Sequence, residues 1–125
     1  MKLWLCVAAL GMLGAGSSPS FAQDDPAKLF AKQCGICHGD PNIADSKSRL
    51  GPDLHGLSGR TAGTSDFARY SPAMKRSDIV WSNKTLDMFL AAPRTTVRGT
   101  IMAYPGLKDD SARKRLVRYI LSASE

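Results

Sequence analysis

The sequence has few of the residues that build crosslinked or metal-clustered proteins: three cysteines and two histidines among 125 residues. Its hydrophobic runs are shorter than the roughly 20 residues that a membrane-spanning helix needs. We find no internal repeat, and no segment alternates between apolar and polar residues as a half-buried strand would. No basic run is interleaved with aromatic residues, which argues against nucleic-acid binding. What remains is one small domain.

The beginning of the chain has the pattern of a secretory signal peptide. Lys2 precedes an uncharged, mostly apolar run over residues 3–13, and a small-x-small cleavage pattern ends at Ala22. We therefore expect residues 1–22 to be cleaved and residues 23–125 to form the exported domain. An uncleaved anchor or an amphipathic helix is the alternative interpretation.

Helical start signals and periodicity predict an all-α protein with three helices. The first begins at Asp25 with a proline at its first position, the second after Ser82 or Asn83, and the third at Asp109. Pro93 is expected to end the second helix.

Each predicted helix has an apolar face. The apolar positions are Leu29, Phe30 and Ile36 in the first helix, Leu86, Phe89 and Leu90 in the second, and Ala112, Leu116, Tyr119, Ile120 and Ala123 in the third. The solvent side of the third helix is expected to carry Arg113, Lys114, Arg115 and Arg118. Residues 39–77 are rich in glycine and proline, and such a long irregular segment is expected to wrap a large ligand.

The sequence Cys34-Gly-Ile-Cys37-His38 is the strongest chemical signal. Cys6 would be lost with the signal peptide, so these are the only cysteines of the exported domain. A closed zinc site normally needs four protein ligands, and thioredoxin-like chemistry normally uses a strand–helix context. Cys-x-x-Cys-His instead favours covalent haem attachment through both thiols, with the imidazole presented to the iron. Thiol redox chemistry and metal binding remain the alternatives.

The sequence resembles class I c-type cytochromes, especially mitochondrial cytochrome c and its soluble periplasmic relatives. The resemblance covers nearly all of the exported domain and rests on ordered segments: CGICH (34–38), GPDLHGLSGR (51–60), TLDMFLAAP (85–93), GTIMAYPG (99–106) and RLVRYI (115–120). It implies a class I cytochrome c fold, in which the N- and C-terminal helices cross at Phe30, Leu116 and Tyr119. Long loops are then wrapped around one covalent haem c.

The resemblance also implies the two axial ligands of the iron. His38 is expected on one side and Met102, within the ligand loop, on the other. Met88 is expected to fill the core, and Met74 stands where the family often has a polar residue near a haem propionate. His55 matches a position near the surface and is not expected to bind iron.

Five further residues match family positions around the haem. Pro52 matches the proline whose carbonyl accepts a hydrogen bond from the axial histidine. Arg60, Tyr70 and Trp81 match the positions that hold a buried haem propionate, and Thr100 matches another propionate neighbour.

The chain departs from the mitochondrial pattern in three respects. Phe89 replaces a tyrosine near the ligand sulfur, and Arg98 replaces a proline just before the ligand loop. The basic ring around the exposed haem edge is incomplete: Lys28, Arg49, Arg94 and Lys108 match it, whereas Gln33, Thr95, Ile101 and Asp109 do not.

These observations predict a soluble, monomeric, monohaem electron carrier of the periplasm, without enzymatic activity and without stable membrane insertion. The formal net charge of +6 suggests redox partners with acidic docking surfaces, such as an oxidase, a reductase, a peroxidase or a photosynthetic reaction centre. The alternatives are a haem enzyme or gas-binding protein with an open sixth site, and a dedicated electron-accepting subunit of a periplasmic dehydrogenase.

Overall fold

The first helical region positions the Cys-x-x-Cys-His motif. The computed structural model describes residues 25–46 and 50–123, so the predicted signal peptide lies outside it. Helix α1 (Pro26–Phe30) continues through a π-helical turn (Ala31–Gly35) into α2 (Ile36–His38). The Asp25 carboxylate caps this region by accepting a hydrogen bond from the Ala27 N–H (3.0 Å).

The remaining helices are α3 (Pro72–Lys75), α4 (Asn83–Ala91), α5 (Pro93–Thr96) and α6 (Asp110–Ser122). Ser82 begins α4 with a reciprocal capping box and Asp109 caps α6, as the sequence predicts. Single-turn helices α3 and α5 were not predicted, because one turn is too short for periodicity to reveal. Strand pairing in the described part of the chain is limited to one isolated bridge between Thr61 and Val80, so the all-α class is confirmed.

Helices α1 and α4 both pack against α6. The rings of Phe30 and Tyr119 lie 5.7 Å apart between centroids, and Leu116 beside them is fully buried. This is the contact between the first and last helices that the resemblance implies. Of the helices that the structure describes, none has both the length and the apolar character that crossing a membrane requires.

Two apolar residues that were predicted to face the core, Ile36 and Met88, are exposed. Ile36 is 87% exposed, because Cys34 and His38, two residues to either side of it, turn inward. Met88 is 52% exposed rather than core, since Leu86 and Leu90 turn the opposite side of α4 inward.

Arg113 was expected on the solvent side of α6, but it is buried. Its Nε donates to Asp87 on α4 (2.8 Å), a second nitrogen donates to Asp110 (2.8 Å), and a third donates to the Leu107 carbonyl (2.9 Å). Arg113 therefore joins α4, α6 and the segment that precedes α6. A buried guanidinium is tolerated only with such partners.

Asp87→Asn should lower the free energy of unfolding by about 1.5–3 kcal/mol, the range for hydrogen bonds to charged groups. The substitution keeps the shape of the side chain but leaves the buried Arg113 guanidinium with less compensating charge. Guanidinium denaturation, followed by far-ultraviolet circular dichroism, measures the change. Asp66→Asn, at an exposed carboxylate, is the control, and an equal effect of both substitutions would contradict the role assigned to Asp87.

Candidate functional site

A cavity of about 400 Å³ lies at the centre of the fold. Its size falls in the range of about 300–1,000 Å³ that is typical of cofactor and ligand sites. The Cys-x-x-Cys-His helix forms one wall, and α3, α4 and residues 100–103 contribute to the others. Most of the lining is apolar, including Leu54, Leu57, Trp81, Leu86, Phe89 and Leu90.

His38 contributes its imidazole to the cavity and is 8% exposed. Its Nδ1 lies 2.7 Å from the Pro52 carbonyl oxygen. Because a carbonyl can only accept, Nδ1 carries the proton and Nε2 keeps its lone pair when the ring is neutral. Burial lowers the pKa of His38, although the Pro52 hydrogen bond and Asp53 oppose this shift. The imidazole is therefore oriented and tuned as a metal ligand usually is.

Gly51 makes this orientation possible. A methyl group on its Cα would lie 2.7 Å from Cε1 of His38 and 2.9 Å from Nδ1, which is too close for any side chain. The Gly51 N–H also donates to the Cys37 carbonyl (2.9 Å), which fixes the loop against the helix. Residue 51 therefore has to be glycine for the ring to keep this position.

Both cysteines of the motif line the cavity. Cys34 is buried, and burial, with a smaller contribution from Cys37, raises the pKa of the Cys34 thiol to about 12. Thiol–disulfide chemistry needs an accessible thiolate, so this environment disfavours a redox role. In the described residues, no group of three or more His, Cys, Asp and Glu side chains could hold a metal ion. Zinc binding therefore lacks a site there.

Met102 also lines the cavity, in the segment between α5 and α6. Its backbone N–H donates to the Thr100 hydroxyl oxygen (3.3 Å). Two residues further on, the Tyr104 hydroxyl donates to the Gln33 side-chain oxygen (3.1 Å), which ties this segment to the first helical region. The loop that carries Met102 is thus fixed on both sides of the sulfur-bearing residue.

The other candidate ligands differ clearly in position. Met74, buried on α3, lines the same cavity, so a second thioether is present there. Met88 is exposed and does not line it. The half-buried His55 does not line it either, and its Nδ1 lies 2.9 Å from the Pro41 carbonyl oxygen. His38 is the imidazole of this cavity.

The lining of the cavity also includes polar side chains. Arg60 donates to the backbone carbonyls of His55 (3.0 Å) and Asp53 (2.9 Å), which hold its guanidinium at the cavity wall. The Tyr70 hydroxyl shares a short hydrogen bond with Ser65 beside it. Arg69 also lines the cavity, but sequence analysis did not select it.

These donors fit a large apolar cofactor with anionic groups. The lining of the cavity includes two arginines, but no Asp or Glu of the described chain takes part in it. Two thiols, one imidazole and thioether sulfur face the same space. An apolar disc with carboxylates and a central iron, which is haem, matches each of these features.

The model of the family described as "Cytochrome c" matches residues 24–124. The chain belongs to the cytochrome c family. It is 43% identical over 98 residues to a cytochrome c of Theileria parva, and this alignment covers 78% of this chain and 83% of that protein. It is 36% identical over 115 residues to cytochrome c2 of Blastochloris viridis, where the alignment covers 91% of this chain and 89% of that protein.

Among solved structures, cytochrome cH from Methylobacterium extorquens matches with a TM-score of 0.68 and 30% identity, covering 78% of this chain and 95% of that one. The resemblance to class I c-type cytochromes and the class I fold are confirmed. The cofactor of a cytochrome c is a single, covalently attached haem c, and the cavity described above has the shape and donors for it.

All nine predicted site residues of this cytochrome c line the one cavity: Cys34, Cys37, His38, Pro52, Arg60, Tyr70, Trp81, Thr100 and Met102. Sequence reasoning missed the proximity of Arg69 and did not expect Gly51 to touch the imidazole. The close approach of the Gly51 backbone to the imidazole leaves no pattern in a single sequence, whereas Arg69 is next to Tyr70 and could have been considered.

Phe89 and Arg98, the two residues near the ligand loop that depart from the mitochondrial pattern, have different surroundings. Phe89 is 4% exposed and lines the cavity, with its ring centroid 5.3 Å from that of Trp81. Phenylalanine brings no hydroxyl of its own to the wall. Arg98 is exposed and does not line the cavity. The first departure therefore affects the interior of the site, and the second affects its surface.

Proposed function

We propose that this cytochrome c is a periplasmic one-electron carrier whose haem iron is held by His38 and Met102. The observation that carries the proposal is that an oriented imidazole and a fixed thioether line one mostly apolar cavity. The haem supplies the Fe(II)/Fe(III) couple. A haem iron held by both residues would have no coordination site left for a substrate, and this favours a carrier over a haem enzyme or gas-binding protein.

The surroundings of the two ligands support this role. The Pro52 carbonyl keeps His38 in one tautomer and one orientation, and the Thr100 hydroxyl holds the backbone at Met102. Apolar walls exclude water, which favours the less charged ferrous state. Thioether ligation raises the reduction potential in the same direction.

Covalent attachment through Cys34 and Cys37 is part of the proposal, as is export. The two thiols face the cavity that also contains the imidazole. Haem attachment of this kind takes place outside the cytoplasm, and the predicted cleavage after Ala22 agrees with it. We infer a mature domain of residues 23–125 that works as a monomer in the periplasm.

The electron-carrier proposal is tested by spectroscopy and titration of the purified holoprotein. We expect a reversible one-electron couple and, in the ferric protein, the weak absorption band near the red end that reports sulfur on iron. Ferric protein that lacks this band and binds added cyanide rapidly would favour the alternative with an open sixth site.

A second cavity marks the proposed docking face for acidic partners. It has a volume of about 340 Å³ and is lined by Arg94 and Lys108 together with Tyr104, which reaches the first helical region. Lys28, another predicted member of the basic ring, is exposed, whereas Arg49 lies outside the described residues. An oxidase, a reductase, a peroxidase, a reaction centre or one dedicated dehydrogenase would be the partner.

Neutralising both Arg94 and Lys108 with glutamine should slow oxidation of the ferrous protein by hexacyanoferrate(III) about three- to tenfold at low salt. Surface charge steers an anionic reagent towards the haem edge, and salt screens this attraction. Oxidation by a cationic cobalt complex should become faster instead. Stopped-flow absorbance measures both rates as a function of ionic strength.

Arg76 and Arg118, which are exposed and do not line the second cavity, provide a control pair of equal charge. Arg113 is unsuitable as a control because it is buried in ion pairs. A rate independent of salt, or equal slowing by the control pair, would show that Arg94 and Lys108 do not guide docking.

A further inference from the structure

A second arginine, Arg69, lines the haem cavity together with Arg60. Its guanidinium carbon lies 5.7 Å from the centroid of the Phe67 ring, over which it is placed. The Phe67 ring in turn meets the Tyr70 ring edge-on, with the centroids 5.2 Å apart. Arg69 is exposed, yet it lines the cavity together with Phe67 and Tyr70. A cation over an aromatic face is held more firmly than a free surface side chain.

The positive charges in the cavity lining are not balanced there by any Asp or Glu of the described residues. Arg60 directs two of its N–H groups at backbone carbonyls, which carry no net charge. Arg69 forms no ion pair with any carboxylate in residues 25–46 and 50–123. Both arginines belong to the lining of one mostly apolar cavity to which no Asp or Glu of the described residues contributes, so an anionic group in that cavity would be attracted by both charges.

We propose that Arg69 is a second cationic contact for the haem carboxylates, held by Phe67, and that its charge raises the reduction potential of the iron. The inference rests on the proposed electron-carrier function. A fixed positive charge near the haem stabilises the ferrous state relative to the ferric state, which carries one more positive charge. Arg69 is a positioning and tuning residue here and makes no bond to iron.

Spectroelectrochemical titration of the holoprotein tests this inference. Arg69→Gln should shift the Fe(III)/Fe(II) equilibrium about three- to tenfold towards Fe(III), which is about 28–59 mV at 59 mV per tenfold change. Arg69→Lys keeps the charge and should retain at least half of the wild-type effect. Arg76→Gln removes the same charge from an exposed residue that does not line the cavity, and it should shift the equilibrium less than twofold.

Phe67→Leu should also shift the equilibrium towards Fe(III), but by less than Arg69→Gln. It removes only the ring that holds the guanidinium and leaves the charge in place. An unchanged potential in this variant would overturn the role of Phe67. Equal shifts in Arg69→Gln and Arg76→Gln would overturn the role of Arg69, and so would an Arg69→Lys shift as large as that of Arg69→Gln. Wild-type protein without a sulfur–iron band would instead contradict the axial ligation on which the inference rests.

Discussion

Replacing Met102 with leucine should lower the reduction potential by at least about 100 mV, a fraction of the roughly 0.8 V over which axial ligands set haem potentials. Met102 lines the haem cavity, and the Thr100 hydroxyl holds its backbone. Leucine fills a similar volume but offers no sulfur. The ferric band near the red end should disappear, and added cyanide should bind faster. Potentiometric titration and absorption spectra of the purified variant measure these changes.

The other two methionines of the described chain provide matched controls. Met74→Leu changes a thioether that lines the same cavity, whereas Met88→Leu changes an exposed one outside it. Both variants should keep the sulfur–iron band. If Met74→Leu loses the band and Met102→Leu keeps it, the ligand is Met74 and the ligand loop has been assigned wrongly.

The sequence predicts well those features that depend on neighbouring residues. Ser82 and Asp109 cap α4 and α6 as expected, because a capping side chain bonds to backbone groups only two or three residues away. The Cys-x-x-Cys-His spacing places Cys34 and His38 on the same inward side of the first helical region for the same local reason. Local rules were therefore sufficient for the cofactor.

Features that depend on distant partners were not predictable from local pattern. Arg113 looks like one of four solvent-facing cations on α6, and only Asp87, 26 residues away on α4, makes its burial possible. Ile36 looks like a core residue by composition, yet it is 87% exposed because the motif on either side of it turns inward. In both cases tertiary contact decides the orientation, and periodicity is a weaker influence.

The predicted propionate contacts depended on resemblance to a family, not on pattern. Nothing in the spacing of Arg60, Tyr70 and Trp81 shows that they line one cavity, but the resemblance implies it and all three line the cavity in the structure. Arg69 was not among the residues that the resemblance selected. Only the structure shows that Arg69 lines the cavity and lies over the Phe67 ring.

Replacing both Cys34 and Cys37 with alanine should leave the haem extractable into acidic organic solvent and the chain largely unfolded. The variant is expressed with its leader in a host that attaches haem to such proteins. Mass spectrometry after denaturation should detect no haem on it, whereas the wild type should retain one haem. Each single alanine variant keeps one thiol and should retain haem through one bond.

The loss of folded structure follows from the apolar lining of the cavity. Without haem, the mostly apolar walls of this 400 Å³ space would be open to water, and apolar surface that stays in contact with water contributes no hydrophobic stabilisation. The whole free energy of unfolding of a domain is only about 5–15 kcal/mol, so the loss of this burial should unfold most of the chain. Trp81, Phe89 and Leu90 line this space and belong to the buried core, which would lose its centre. Circular dichroism of the double variant without haem should therefore show little helix, and a stable, helical, haem-free protein would contradict a core built around the cofactor.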